Sequence, residues 1–329
     1  MSCLVVQSFG NETEYRRASF CLVSYVAHHP KQKDAFIILF TDAPDFFKKL
    51  LPDFNIRYVA LTPQKIKLMR GDIDFLHRMK IALIEEAFEI YNGPILYADS
   101  DTFFISDPTP LINRLSPETA FMHVLEYPFS KLERMPLPAG ETFQAFFKLI
   151  TSQQFKGASG QTIAVTPEHA SWNAGVMLFH PSHKKFIADV YALTDQFYPA
   201  TKNHASEQYA FSVVVQMNTR LEPCDSVVYH YWYRVKKTIM DGWLKDFFSD
   251  WQRHNANETF EHVKTLTKKL PGLLANHALT LRDNAIQAFH EDRFLEGYRF
   301  SLRLLLKKPF DFIFMRDVAY HTRRLLKNG

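Results

Sequence analysis

In the first half of the chain, short runs of apolar residues alternate with longer stretches whose apolar positions recur at helical spacing. Short apolar runs bounded by turn residues are typical of buried strands, and amphipathic stretches are typical of helices. Strands that are apolar on both faces occur mainly in parallel sheets covered by helices on each side. We therefore predict an α/β fold here, with strands at 4–6, 36–40, 56–61 and 94–98 and helices at 15–29 and 75–90.

The pattern changes in the second half of the chain. Apolar runs at 162–165 and 174–179 predict two more strands, and the apolar spacing over 184–197 predicts a helix. Residues 127–160, rich in Pro, Gly, Phe and Gln, are predicted to form an inserted loop that acts as a lid or a binding segment. Because only helices are predicted from residue 236 onward, we expect a main domain at 1–245 and a helical C-terminal extension at 246–329.

Composition narrows the class of protein. The 329 residues are 47% hydrophobic, enough for a large core, and the net charge of +4 is too small to indicate nucleic-acid binding. The three cysteines, Cys3, Cys21 and Cys224, are widely spaced, which suits a reducing compartment better than a disulfide framework. The first residues do not resemble a signal peptide, and no apolar run approaches the ~18 residues of a membrane span. We expect a cytoplasmic protein.

Two carboxylates follow the apolar run Pro94-Ile95-Leu96-Tyr97, at Asp99 and Asp101. Side chains two residues apart on a strand point to the same face, so these two are expected to lie together. Neighbouring carboxylates repel each other unless a positive charge lies between them. Hard divalent cations take oxygen ligands and often bind phosphate oxygens of a substrate as well. The pair therefore indicates a metal bound together with a phosphorylated ligand.

Three later segments combine polar residues with apolar runs. They are Asn173-Ala174-Gly175 before a strand, Ser206-Glu207-Gln208 at the start of a helix, and His230 with Lys236 after aromatic residues. Each has an equally good structural explanation when it is taken singly: Gly175 in a turn, Ser206 as a helix cap, and His230 in an aromatic core.

Taken in order, the four segments resemble the motifs of glycosyltransferases of the A-type fold. The most similar family includes glycogenin and the bacterial galactosyl- and glucosyltransferases of lipopolysaccharide synthesis, and the resemblance spans roughly residues 1 to 240. It implies a Rossmann-like mixed sheet flanked by helices, with a helical C-terminal extension. Two residues depart from the family pattern: Glu207 stands where the family has Asp, and Tyr233 stands where it has Gly.

The resemblance also implies a role for each candidate residue: Mn²⁺ or Mg²⁺ ligands at Asp99, Asp101 and His230; contacts with the donor sugar or the reacting carbon at Asn173, Glu207 and Gln208; and donor-binding contacts at Ser8, Tyr15, Lys80, Ser100 and Lys236. Lys236 would neutralise the leaving diphosphate. The expected donor is a UDP-linked sugar, the expected acceptor is a carbohydrate or glycolipid, and the anomeric configuration is expected to be retained.

Two alternatives and one open question accompany this interpretation. A non-catalytic nucleotide- or sugar-binding protein could share the fold. An Asp-dependent phosphohydrolase is disfavoured, because its two-Asp motif belongs near the start of its fold and many elements precede Asp99 here. The basic, aromatic-rich tail at 293–329 could lie on an anionic membrane or could pack as a helical cap on the protein. The oligomeric state is not predicted.

Overall fold

The computed structural model of the chain describes residues 3–31, 34–136, 140–251 and 256–328. The chain divides into two compact units. The first comprises Met1–His230 and His254–Lys264, and the second comprises Tyr231–Arg253 and Thr265–Gly329. The predicted boundary at residue 245 stays a prediction.

The strands are β1 (Cys3–Ser8), β2 (Phe36–Thr41), β3 (Ile56–Ala60), β4 (Ile95–Ala98), β5 (Thr102–Phe104), β6 (Thr119–Met122), β7 (Leu125–Pro128), β8 (Phe155–Lys156), β9 (Thr162–Ile163), β10 (Ala170–Trp172), β11 (Val176–Phe179), β12 (Arg220–Pro223) and β13 (Val228–His230). The helices are α1 (Glu12–His28), α2 (Pro44–Leu50), α3 (Pro63–Arg70), α4 (Arg78–Ile90), α5 (Thr109–Arg114), α6 (Glu141–Ser152), α7 (Ile187–Thr201), α8 (Ser206–Asn218), α9 (Arg234–Trp251), α10 (Ala256–Ala275), α11 (Ala278–His290), α12 (Phe294–Lys307) and α13 (Phe312–Asn328). Short 3₁₀ helices occupy Phe129–Arg134 and Pro181–Phe186.

The first unit is built on a mixed seven-stranded sheet with the order β12-β6-β11-β4-β1-β2-β3. Strands β1 to β4 run parallel to one another, β11 runs antiparallel to both β4 and β6, and β12 runs parallel to β6. The predicted fold class, a mixed α/β sheet flanked by helices with further helices at the C-terminal end, is confirmed. The direction of β11 is not visible in its apolar run, since a buried strand reads the same in either direction.

Both faces of the sheet are covered, which explains the continuous apolar strands. Val5 and Tyr97 belong to the core cluster that also includes buried residues of α4 and α8. Leu4 and Val6 point to the opposite face and are also fully buried, and α1 packs against β1. Helix α1 begins at a polar cap, because the Asn11 side chain accepts hydrogen bonds from the backbone N–H groups that follow it.

The described residues of 127–160, which were predicted to form an inserted loop, contain regular secondary structure. They contain the end of β7, a 3₁₀ helix, α6 and β8, apart from residues 137–139, which lie outside the described part. Phe129 and Phe146 are fully buried, and their rings lie edge to face with centroids 5.2 Å apart. The aromatic residues that suggested a binding loop are thus core residues. A role for this segment in acceptor binding stays a prediction.

The second unit is helical, as predicted for the C-terminal part of the chain. Its core includes Leu281, Phe289, Leu304 and Phe314, which come from α11, α12 and α13. Gly297 allows α11 and α12 to approach closely, because a Cβ atom there would fall 2.5 Å from the Phe289 ring. Among the described residues, no helix combines the length and the apolarity needed to cross a bilayer.

Candidate functional site

The site begins where β4 ends. Asp99 and Asp101 lie in a turn between β4 and β5. The prediction that they belong to the strand itself is thus corrected. Strand β5 then pairs with β13 in antiparallel register, with Thr102 opposite His230. This pairing brings His230 Nε2 to 3.2 Å from Asp101 Oδ1, and both side chains are buried. The long-range strand pair therefore assembles the two carboxylates and the imidazole.

One potential ligand atom from each of Asp99, Asp101 and His230 lies within 4.8 Å of the other two. In the described part of the chain, this is the group of His, Cys, Asp and Glu side chains arranged to hold a metal ion. Two carboxylate oxygens and one imidazole nitrogen suit Mn²⁺ or Mg²⁺, and the nitrogen favours Mn²⁺. The predicted ligand residues therefore lie together, although the identity of an ion does not follow from their geometry.

Asn173 sets the orientation of the imidazole. Its Oδ1 lies 2.8 Å from His230 Nδ1 and also accepts a hydrogen bond of 3.0 Å from the Gly175 N–H. An amide oxygen accepts only, so His230 carries a proton on Nδ1. In the neutral ring this leaves the Nε2 lone pair directed at the Asp101 carboxylate, so that two electron-pair donors face each other unless a cation or a proton lies between them. The donor set fits a bound metal ion.

Gly175 is required by the close approach of His230. A Cβ atom at this position would overlap the imidazole ring of His230. The Gly175 carbonyl also accepts a 2.7 Å hydrogen bond from the Asp99 N–H. Gly175 does lie in the turn before β11 that the sequence suggested, and the space that the histidine occupies is a second reason for a glycine here.

Lys80 is buried beneath the metal-ligand group. Its Nζ lies 3.0 Å from Glu207 Oε1, 3.4 Å from Asp99 Oδ2 and 3.1 Å from the carbonyl oxygen of Ala174. Burial disfavours the ammonium, but the charges of Asp99 and Glu207 outweigh that effect and raise the pKa of Lys80. Lys80 is therefore a cation held inside the protein, and it contacts two carboxylates and one backbone carbonyl.

Tyr97 holds the other oxygen of Asp99. Its hydroxyl donates a 2.6 Å hydrogen bond to Asp99 Oδ1, and burial together with the Asp99 charge raises the pKa of Tyr97 well above its usual value. The phenol therefore stays protonated and remains a donor. With Lys80 on Oδ2 and Tyr97 on Oδ1, the Asp99 carboxylate is oriented before any ligand binds.

Glu126 is a site residue that the sequence analysis missed. Its Oε1 accepts a 3.0 Å hydrogen bond from Asn173 Nδ2, and its Oε2 accepts one of 2.8 Å from Gln208 Nε2 and one of 3.0 Å from the Ser171 hydroxyl. Gln208 Oε1 in turn accepts from the Ala174 N–H at 3.2 Å. Glu126 thus links Asn173 and Gln208. The available signal was a single acidic residue within an otherwise apolar stretch.

Ser8 and Tyr15 lie at the same edge of the sheet as Asp99, because β1, β2 and β4 are parallel. The Tyr15 hydroxyl donates a 2.9 Å hydrogen bond to Asp42, which follows β2 and also accepts from the Gly10 N–H at 3.0 Å. The Ser8 hydroxyl is buried and has no hydrogen-bond partner among the described residues. Asp42 was not predicted, although an acidic residue directly after an apolar strand is the signal that identified Asp99.

The remaining candidates are Ser100 and Lys236. The Ser100 hydroxyl donates a 2.9 Å hydrogen bond to Glu14 on α1, so it is tied to the first unit near the turn between β4 and β5. Lys236 lies near the start of α9 in the second unit, with its Nζ 5.4 Å from the centre of the Tyr233 ring. Its contact with a diphosphate stays a prediction.

No protein-family model matches the chain, and no curated protein matches it. Solved structures that match include mouse xyloside xylosyltransferase 1, at 13% identity and a TM-score of 0.43 over 68% of this chain and 85% of that one. The galactosyltransferase LgtC, crystallised with donor and acceptor sugar analogues, matches at 15% identity and 0.44 over 75% and 95%. GlyE of Streptococcus pneumoniae TIGR4 matches at 15% and 0.40 over 75% and 50%.

All three of these proteins are glycosyltransferases, the class that the four sequence motifs resemble. Their identities and TM-scores are too low to transfer a residue role or a substrate to this chain. A function has to be inferred from the residues of the site.

Proposed function

We propose that the chain is a metal-dependent glycosyltransferase that moves a sugar from a UDP-linked donor to a carbohydrate or glycolipid acceptor with retention of configuration. The observation that carries this proposal is the group formed by Asp99, Asp101 and His230 at the carboxyl end of the parallel strands. Open α/β sheets bind their ligands at this edge, and hard divalent ions there commonly share phosphate oxygens with the substrate.

The chain's own residues prepare the site for charge that develops on the diphosphate. Asp99 is oriented by Tyr97 and Lys80, and His230 presents Nε2 because Asn173 holds Nδ1. When bound, a divalent ion supplies the positive charge that stabilises the departing diphosphate. Lys236 is proposed to add a second positive charge to the same group.

The three residues predicted to contact the donor sugar have different surroundings. Glu207 is 2% exposed and its carboxylate lies against the Lys80 ammonium, so we assign it the positioning of Lys80 and, through it, of Asp99. Asn173 and Gln208 are held by Glu126 and lie next to the metal-ligand group. We assign these two amides to the donor sugar.

The first test is thermal unfolding with UDP, with Mn²⁺, and with both together. A ligand at ~100 times its dissociation constant stabilises the folded state by about 2.7 kcal/mol. We expect UDP to raise the melting temperature only when Mn²⁺ is present, and we expect Asp101→Asn to abolish that rise while it leaves the melting temperature without ligand close to that of the wild type. Stabilisation by UDP that does not depend on a divalent ion would refute the metal–diphosphate site.

Transfer itself is tested by incubation with a panel of UDP-sugars and chromatographic detection of released UDP. Release that requires Mn²⁺ and is lost in Asp101→Asn supports a transferase. Stabilisation by UDP and Mn²⁺ without release from any UDP-sugar, with or without oligosaccharide acceptors, would favour the non-catalytic binding protein that shares the fold.

A further inference from the structure

The turn between α12 and α13 carries a dense group of exposed apolar side chains in the second unit. We define residues 306–313 as the α12–α13 tip. Within it, Leu306 is 77% exposed, Phe310 79%, Phe312 71% and Ile313 61%. Single exposed apolar residues are ordinary on protein surfaces, but a contiguous group of large ones marks a binding surface.

The exposure of the tip is imposed by the packing on either side of it. Leu304 and Phe314, which flank the tip, are 1% and 0% exposed and belong to the core of the unit. Asp311 Oδ1 accepts a 3.0 Å hydrogen bond from the Phe314 N–H, and the Lys308 N–H donates to the Leu304 carbonyl at 2.8 Å. The apolar side chains are therefore presented to solvent by a turn with defined ends.

Basic residues lie within the tip and beside it. Lys307, Lys308 and Arg316 are exposed, and none of them forms an ion pair with another described residue. Arg303 and Arg299 lie on exposed positions of α12, about one turn and two turns before the tip. Between Gly297 and Arg316 the sequence contains a single acidic residue, the capping residue Asp311. The surface around the apolar group is consequently positive.

This combination determines what kind of partner fits. Lys and Arg beside inserted aromatic and aliphatic side chains are the features of segments that lie on anionic membranes. A second copy of the chain would place this same positive surface against itself across a two-fold axis, which brings like charges together. An anionic lipid surface satisfies both the apolar side chains and the cations.

We infer that the α12–α13 tip docks on an anionic membrane, with Leu306, Phe310, Phe312 and Ile313 inserted among the lipid headgroups. The sequence left open whether the tail lies on a membrane or packs on the protein. One face of α12 and α13 does pack, through Leu304 and Phe314, while the tip is directed outward. The inference does not depend on the proposed transferase activity, because membrane binding is measured without a donor or an acceptor.

The test is co-sedimentation of the full chain with vesicles of phosphatidylglycerol and phosphatidylcholine in equal parts, and with vesicles of phosphatidylcholine alone. Phe310→Ser with Phe312→Ser removes apolar contact, and Leu68→Ser is its control because Leu68 is 78% exposed on α3. Lys307→Gln with Lys308→Gln removes charge, and Arg57→Gln with Lys67→Gln is the matched pair of exposed cations elsewhere. Circular dichroism and thermal unfolding verify that every variant folds.

We expect the wild type to bind the anionic vesicles and to be released by high salt. The lysine pair should weaken binding about thirtyfold, which corresponds to ~2 kcal/mol at about 1 kcal/mol per cation. The phenylalanine pair should weaken it about a hundredfold, at roughly 1.5 kcal/mol per ring. Both controls should bind like the wild type.

The inference would be overturned by the absence of wild-type binding to anionic vesicles, by unchanged binding of the folded tip variants, or by equal losses in the tip variants and their controls. Sedimentation velocity adds one more refuting outcome. If the wild type does not bind vesicles but self-associates, and the phenylalanine pair does not self-associate, the partner of the tip is a second copy of the chain.

Discussion

Replacing Lys80 by Met removes the only cation that contacts both Asp99 and Glu207 in the described part of the site. The Lys80 and Glu207 side chains are 7% and 3% exposed, and Nζ lies 3.0 Å from Glu207 Oε1. Methionine nearly preserves the volume of lysine, so the change leaves little cavity and isolates the loss of charge. Glu207 would then be a buried carboxylate without a partner.

Breaking a buried ion pair by removing one partner costs about 3–5 kcal/mol. Solvent does not reduce this figure, because both side chains are buried. A domain of the size of the first unit loses roughly 2–4 °C of melting temperature per kcal/mol. Lys80→Met is therefore expected to lower the unfolding temperature of the first unit by ~6–20 °C, measured by scanning calorimetry.

A second substitution separates charge from packing. Glu207→Gln added to Lys80→Met removes the isolated carboxylate, so the double variant should recover part of the lost stability. Glu207→Gln alone should destabilise the wild type, because it leaves Lys80 with Asp99 as its one carboxylate partner. Lys67→Met on the exposed surface of α3 is the control, with an expected change within about 0.5 kcal/mol. A melting temperature of Lys80→Met within about 2 °C of the wild type is no larger a change than a surface substitution causes, and it would refute the reasoning.

Two further predictions concern the groups that hold His230 and the two amides. Gly175→Ala should displace the His230 imidazole and abolish Mn²⁺ binding measured by titration calorimetry. Its control is Gly242→Ala in α9, where an added Cβ meets no atom within 4 Å. This control should leave Mn²⁺ binding intact and stabilise the helix by about 0.5–1 kcal/mol. Wild-type Mn²⁺ affinity in Gly175→Ala would contradict the steric argument. Glu126→Gln should preserve Mn²⁺-dependent UDP binding but lower turnover of the donor about tenfold or more, since it weakens the hydrogen bond that orients Asn173. Unchanged turnover would show that Glu126 has no role in the reaction.

Local sequence pattern was sufficient for the first parallel strands and for one pair of site residues. The apolar runs at 36–40, 56–61 and 94–98 correspond to β2, β3 and β4 within a residue or two, because the length of a buried strand and the turn residues beside it are written in consecutive positions. The same local logic placed Asp99 and Asp101 at the end of a strand, although in a turn and not on the strand.

The prediction was wrong where it used the composition of a segment to assign it to a loop, because composition does not show which residues its side chains contact in space. Residues 127–160 resembled an inserted loop because they contain Pro, Gly and Gln, yet Phe129 and Phe146 fill the core beside α8. Glu126, at the start of this segment, has no motif of its own, and its importance follows only from the side chains of Asn173 and Gln208 that reach it.

Run length, residue type and motif order thus determined the α/β class, the positions of β1 to β4 along the chain and the set of side chains capable of metal chemistry. Tertiary structure decided which of them meet: the antiparallel pairing of β5 with β13 sets His230 against Asp101, Gly175 makes room for that imidazole, and Lys80 is enclosed between Asp99 and Glu207. The physical reason is that periodicity records the surroundings of a residue along one element, whereas strand register and helix packing join elements distant in the chain, and no consecutive run of residues carries that information.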